Sequence, residues 1–108
     1  MSNIVEITSS EQFDEICRNN KNVMLDFYAT WCNPCTLLGK FIKSHASEYP
    51  NVVFCKANVE KLEDMTDEFE VSSIPHVEFF KSNSRMTDKR MFGFDEKALV
   101  VVLKALNE

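Results

Sequence analysis

The stretch MLDFYATWCNPCTLL, residues 24–38, sets Cys32 and Cys35 two residues apart, just after an apolar run that carries an aspartate, Asp26. Cysteines at that spacing serve a metal site, a short structural disulfide or a reactive dithiol. A zinc site usually shows a second pair at short spacing. Here the other candidate ligands, Cys17, Cys55, His45 and His76, are isolated along the chain. Their scatter argues against zinc or an iron–sulfur cluster, and no metal is expected. Cys17, on the apolar face of a helix, and Cys55, inside a strand, read as small buried hydrophobes. A structural disulfide would close a very short loop and constrain little of the unfolded chain.

The dithiol reading makes definite demands. The thiolate is the reactive form of cysteine, and a helix N-terminus favours it through unpaired N–H groups and the macrodipole. Pro34 suits a first helical turn, where its missing N–H has no partner to lose. Cys32 then falls at the helix end, exposed and acidic, and Cys35 lies inside the first turn, shielded. On the preceding strand Leu25 and Phe27 point to one face, and Met24, Asp26 and Tyr28 to the other. Both faces read as apolar. A solvated carboxylate on an edge strand is the alternative for Asp26. A buried, unpaired carboxyl would instead have its pKa raised by desolvation. It could then exchange a proton with a buried thiol near neutral pH, and Cys35 is the thiol that needs such help.

The elements that must position these groups follow from periodicity. Ile4–Ile7 is a short strand. Ser9 with Gln12 reads as a capping box ahead of a helix bearing Phe13, Ile16 and Cys17. Val23–Tyr28 is an apolar run of strand length, as in a strand buried on both faces. Leu37, Leu38, Phe41, Ile42, Ala46 and Tyr49 recur at helical steps, stopped by Pro50 and Asn51. Val52–Val59 is a strand, and Leu62, Met65 and Phe69 mark a short helix. Val77–Phe80 is a strand, KSNS a turn with Asn83 as its left-handed residue, and Lys89–Phe92 a further strand. Asp95 caps a last helix carrying Leu99, Val102, Leu103 and Leu106. The order β-α-β-α-β-α-β-β-α implies parallel strands with crossover helices and a late antiparallel hairpin. Functional groups in such sheets gather at the carboxyl ends of strands, where the dithiol falls.

Composition narrows the classes. The 108 residues predict one domain. The net charge of −5, without a basic patch, argues against a nucleic-acid partner. No apolar run is long enough to span a membrane. The start MSNIVEITSSEQF lacks the basic and apolar regions of a secretory signal, so a reducing cytoplasmic setting is expected, where cysteines rarely form a disulfide framework.

Through LDFYATWCNPC, VVFCKANVE, EFEVSSIPHVEFF and Gly93, the chain resembles the thioredoxin family, nearer its eukaryotic cytosolic type than a disulfide isomerase domain. The resemblance covers residues 1–108 as a single domain. It implies an α/β thioredoxin fold: a central mixed sheet, mostly parallel with an antiparallel hairpin, flanked by four helices. It implies that Cys32 is the attacking nucleophile, Cys35 the resolving thiol, Asp26 the buried proton-transfer group and Pro75 a cis-proline facing the dithiol. Lys56 falls where the family places a lysine near that aspartate. Trp31, Val59, Ile74, Phe92 and Gly93 would form an apolar groove around Cys32, with Asn33 and Pro34 between the cysteines contributing to substrate contact. Asn33 stands where Gly is commoner, Lys40, after Gly39, where the family often has Pro, and His76 where Thr is usual. An imidazolium at position 76 would stabilise a nearby thiolate; the favoured reading is a neutral histidine bonded to backbone.

The implied activity is thiol–disulfide exchange, acting mainly as a reductant on protein disulfides, with no bound cofactor. An NADPH-dependent flavoprotein, a thioredoxin reductase, would recharge it, and the protein would work as a monomer. The rivals are a disulfide oxidase or isomerase using the same dithiol, and a thioredoxin-fold binding module indifferent to redox state.

Overall fold

The computed structural model describes residues 2–108. Apolar runs of strand length form its centre, as burial on both faces requires. The strands are β1 (Ile4–Glu6), β2 (Asn22–Tyr28), β3 (Val52–Asn58), β4 (His76–Lys81), β5 (Ser84–Arg85) and β6 (Met91–Phe92). The helices are α1 (Ser10–Asn19), α2 (Asn33–His45), α3 (Glu63–Glu68) and α4 (Glu96–Leu106), with a 3-10 turn at Ala46–Glu48. The sheet order is β1-β3-β2-β4-β5, and β6 pairs with β4. The thioredoxin fold expected from the resemblance is present, with its mixed sheet and four helices.

The sheet is less parallel than expected. The β1·β3 and β2·β3 pairs are parallel, whereas β2·β4, β4·β5 and β4·β6 are antiparallel. The reason lies in α3. Six helical residues span about 9 Å, against about 23 Å for a seven-residue strand. The connection therefore cannot return the chain to the start of β3. It delivers β4 at the end where β2 finishes, with His76 opposite Phe27.

Alternation sorts the two faces. Met24, Phe54, Val77 and Phe79 pack with Leu38, Phe41 and Ile42 of α2 and Leu99, Leu103 and Leu106 of α4. Leu25, Phe27, Cys55 and Phe80 pack with Phe13 and Cys17 of α1 and Met65 of α3. Caps close the helices as their sequences predict: Ser9 Oγ accepts from Gln12 N and Asp95 Oδ1 from Ala98 N, both at 3.1 Å. The Gln12 side chain reaches back one residue further than a capping box requires, accepting from Thr8 N at 2.7 Å. Leu37 departs from expectation. It is exposed, because the buried stripe of α2 runs through Cys35, Leu38, Phe41 and Ile42. The hairpin after β4 is a two-residue turn with both Ser82 and Asn83 left-handed, so Ser84–Arg85 pairs where no strand was expected and the last strand shrinks to Met91–Phe92. Among the described residues no helix is long and apolar enough to cross a membrane.

Candidate active site

The site forms where β2 runs into α2. Cys32 is the N-cap of α2: its sulfur accepts the Cys35 N–H at 3.3 Å, and Pro34 occupies the first turn. No acidic residue lies in that turn, so nothing offsets the positive end of the helix at the sulfur. Cys32 and Cys35 are joined in a disulfide, their Cα atoms 5.2 Å apart. The expected contrast in exposure is absent: Cys32 is 6% and Cys35 4% accessible. Exposed Trp31, Asn33 and Pro34 surround a recessed sulfur. The two cysteines differ in position instead, Cys32 at the helix end and Cys35 one turn in.

Four segments meet at this dithiol. Tyr28, Val59 and Ile74 pack against Ala29, Cys32 and Cys35. The Ile74–Pro75 bond is cis, and the Ile74 carbonyl oxygen lies 3.9 Å from Cys32 Sγ. Gly93 N donates to the Pro75 carbonyl at 2.8 Å, which ties the loop after β6 to the proline. Phe92, opposite His76 in register, is 63% exposed, and Trp31 is 70% exposed. Trp31, Ile74, Pro75, Phe92 and Gly93 thus lie on segments joined around one end of the sheet.

Asp26 is fully buried, and neither carboxylate oxygen has a hydrogen-bond partner. Burial pushes its carboxyl up to about 7; the Lys56 charge opposes this and the Glu6 charge adds to it. Lys56 is the cross-strand neighbour of Asp26 on β3. A carboxyl titrating near neutrality can either take or give a proton at working pH.

His76 is placed differently from expectation. Its ring is buried between the edges of Phe27 and Phe92, and its partner is a side chain, not backbone: Nε2 lies 2.6 Å from Glu78 Oε2. Residues 76 and 78 share a face of β4, so the carboxylate meets the ring before any carbonyl does. Glu78 also accepts two bonds from Arg85, from Nε at 3.1 Å and Nη2 at 2.7 Å. Burial alone would push Glu78 up; the bonds and charges of His76 and Arg85 outweigh it and hold the carboxyl below its ordinary value. Nε2 therefore carries the proton of that bond. His76 and Asp26 lie on opposite faces of the sheet. Sequence reasoning missed Glu78 and Arg85, although a Glu inside the apolar run HVEFF signals a need for a partner.

The other cysteines stay free and buried in the α1 face. Burial pushes Cys17 to about 11, helped by Asp14, and Cys55 to about 12, helped by Cys17. Such thiols are poor nucleophiles.

The sequence model of the thioredoxin family matches residues 4–105. The chain belongs to the thioredoxin family. It is 36% identical over 98 residues to a thioredoxin of Mycoplasmoides gallisepticum, covering 91% of this chain and 97% of that one. It is 32% identical over 105 residues to a thioredoxin of Equus caballus, covering 95% and 98%. Bacterial and eukaryotic thioredoxins thus stand at similar distances, and identity does not single out the eukaryotic type. Among solved structures, oxidised mitochondrial thioredoxin 3 of Saccharomyces cerevisiae superposes with a TM-score of 0.87 at 29% identity over 95% of both chains. A chain from a study of thiol resolution in yeast mitochondrial 1-Cys peroxiredoxin superposes equally well, at 28% identity over 95% of both chains. With the Cys32–Cys35 disulfide in place, this thioredoxin-family protein is a thiol–disulfide oxidoreductase.

Proposed function

We propose that the protein reduces disulfides of other proteins, with Cys32 as nucleophile and Cys35 as resolving thiol. The observation that carries this is the Cys32 sulfur at the N-terminus of α2, accepting the Cys35 N–H and facing the Ile74 carbonyl. In the reduced protein the same N–H and helix end stabilise a Cys32 thiolate. The thiolate attacks one sulfur of the substrate disulfide; that S–S bond breaks, a mixed disulfide forms, and one substrate thiolate leaves. The substrate backbone lies along Ile74, next to Pro75, while Trp31, Asn33, Pro34, Val59, Phe92 and Gly93 shape the groove. Cys35 then gives its proton to Asp26 and attacks Cys32 Sγ. The mixed disulfide breaks, the second substrate thiolate leaves, and two electrons have passed from the dithiol to the substrate. Lys56 tunes Asp26, and His76 supports the groove wall at Phe92.

The oxidised protein is recharged, in this reading, by an NADPH-dependent flavoprotein reductase, so that it passes electrons between that enzyme and disulfide-bearing proteins. It works as a monomer in the cytoplasm, needs no bound cofactor and forms one domain. The test is insulin reduction with Cys32→Ser and Cys35→Ser proteins, beside the dithiol potential and turnover by a thioredoxin reductase. Cys32→Ser should abolish reduction, and Cys35→Ser should trap a mixed disulfide. Alkylation of the reduced protein at Cys35 before Cys32 would overturn the assignment. A potential too oxidising for the reductase to maintain would favour the oxidase or isomerase reading.

A further inference from the structure

Phe27 of β2, His76 of β4 and Phe92 of β6 stand in one row across paired strands. Directly paired residues share a face, and here the rings meet: His76 lies edge to face with Phe27, 5.6 Å between centroids, and with Phe92, 5.1 Å. The two phenyl rings are held very differently. Phe27 is wholly buried and also packs on Phe69, whereas Phe92 is mostly exposed. The buried ring behind Phe92 is His76; the cation near its face, Arg90, is itself exposed and 5.9 Å from the centroid. The Gly93 N–H bond to the Pro75 carbonyl carries the row on to the cis-proline.

His76 is held in turn at one point. Its Nδ1 is buried without a hydrogen-bond partner, so among the described residues the Nε2 bond to Glu78 is the polar contact that sets how the ring is turned. Glu78 is gripped from its other side by Arg85, Nε on Oε1 and Nη2 on Oε2. Such a fork fixes the plane of a carboxylate as well as its place. A buried ionic chain is a poor source of stability, because desolvation of the charges offsets most of their attraction; what it can supply is fixed geometry. We propose that Glu78 is a positioning residue for polypeptide substrates: by holding the His76 ring it keeps Phe92 in place as a wall of the groove around Cys32. This rests on the reading of Phe92 as part of that groove. A preformed wall spares the incoming chain the cost of ordering it. A small disulfide, with no backbone to lie along Ile74, gains nothing from it.

The experiment compares the second-order rate constants of the reduced protein for insulin and for hydroxyethyl disulfide. Glu78→Leu with Arg85→Met removes the charge together with its partner and leaves His76 without its anchor. Its rate constant for insulin should fall roughly two- to tenfold, the range for ordering one side chain, and that for hydroxyethyl disulfide should hold. His76→Ala, which leaves the Arg85–Glu78 pair intact, should show the same selective loss. Glu78→Gln is the rescue: an amide oxygen in the Oε2 position still accepts from His76 Nε2 and Arg85 Nη2, so insulin reduction should stay near the parent's. In a Phe92→Ala background the double variant should add little, because the wall it positions is gone. The parent's rate on insulin in the double variant or in His76→Ala overturns the proposal. So does an equal fall for both substrates, which would mean a general disturbance of the site. The full loss in the Phe92→Ala background would place the action of Glu78 elsewhere, and Glu78→Gln as slow as the double variant would show that the charge matters and the bond does not; either overturns it. Phe92→Ala reducing insulin at the parent's rate would instead sink the groove reading, and the role of Glu78 with it.

Discussion

Asp26 was legible in the sequence because a carboxylate interrupts a run whose two faces both read as apolar; its burial and raised pKa follow from that pattern. The linkage has a definite sign. The folded protein holds this proton up to about pH 7, whereas the unfolded chain loses it near 4. As pH rises between those values the unfolded chain binds fewer protons, so the native state loses stability, and the penalty is constant above about 7. Asp26→Asn should therefore stabilise the protein at pH 8, with a ceiling of roughly 4 kcal/mol from three pKa units. The gain should vanish near pH 4, and reduction should slow near neutrality. Urea unfolding of both proteins across pH checks the first part; a variant less stable than the parent at pH 8 would refute it. Cys17 and Cys55 make a second residue-scale case. Buried with thiols pushed up to about 11 and 12, they act as packing. Cys17→Ala with Cys55→Ala should keep the reductase rate and lose roughly 1–3 kcal/mol, from two shortened buried side chains. Loss of insulin reduction in that folded double variant would show that one of them takes part in the chemistry.

At the scale of elements, the sequence pattern carried long periodic segments and lost short ones. The strand at Val23–Tyr28, the helix through Leu38, Phe41 and Ile42 and the capped last helix each repeat their signal over two or more periods. β5 is two exposed polar residues, Ser84 and Arg85, held by a turn rather than by an apolar pattern, so periodicity had nothing to register. Asn83 was legible as left-handed and Ser82 was not, because serine carries no strong signal for that conformation. The antiparallel run of β4 against β2 follows from the shortness of α3; the sequence marked that helix as short, and the strand direction follows only once its length is set against that of β3. Helix α2 offers an element-scale prediction at Gly39, just before Lys40, the position where the resemblance would place a proline. An added Cβ would lie 3.7 Å from Lys56 Nζ, ordinary contact with the far end of a flexible side chain. Gly39→Ala should stabilise the protein by about 0.5–1 kcal/mol through helix propensity, with insulin reduction retained. A lower thermal midpoint would show that α2 needs the close approach to Lys56.

Across the whole molecule, the sheet carries one buried carboxyl on each face, and the two have opposite pH signatures. Asp26, unpaired under α2, weakens the native state as pH rises. Glu78, under α1 and α3, is held below its ordinary value by His76 and Arg85 despite its burial, so its contribution is present above the unfolded pKa and lost as acid protonates it. The difference is partners: Glu78 accepts three bonds, and Asp26 none. Arg85 reaches Glu78 from β5 and lies over Phe69, 4.8 Å from its centroid, so one guanidinium links the sheet edge to the segment that leads from α3 to the cis-proline. Removing it leaves a buried carboxylate served by His76 alone. Arg85→Met should cost roughly 2 kcal/mol at pH 7, below the full value for a buried pair because the Arg85 side chain is 33% exposed. The deficit should shrink as acid protonates Glu78, which then no longer needs a cation. Glu78→Leu combined with Arg85→Met removes the charge along with its partner, and that double variant should be more stable at pH 7 than Arg85→Met alone. Urea midpoints for the parent and both variants at pH 3.5 and 7 decide it. An Arg85→Met deficit of the same size at both pH values would mean that Arg85 acts through packing on Phe69 rather than through the charge on Glu78.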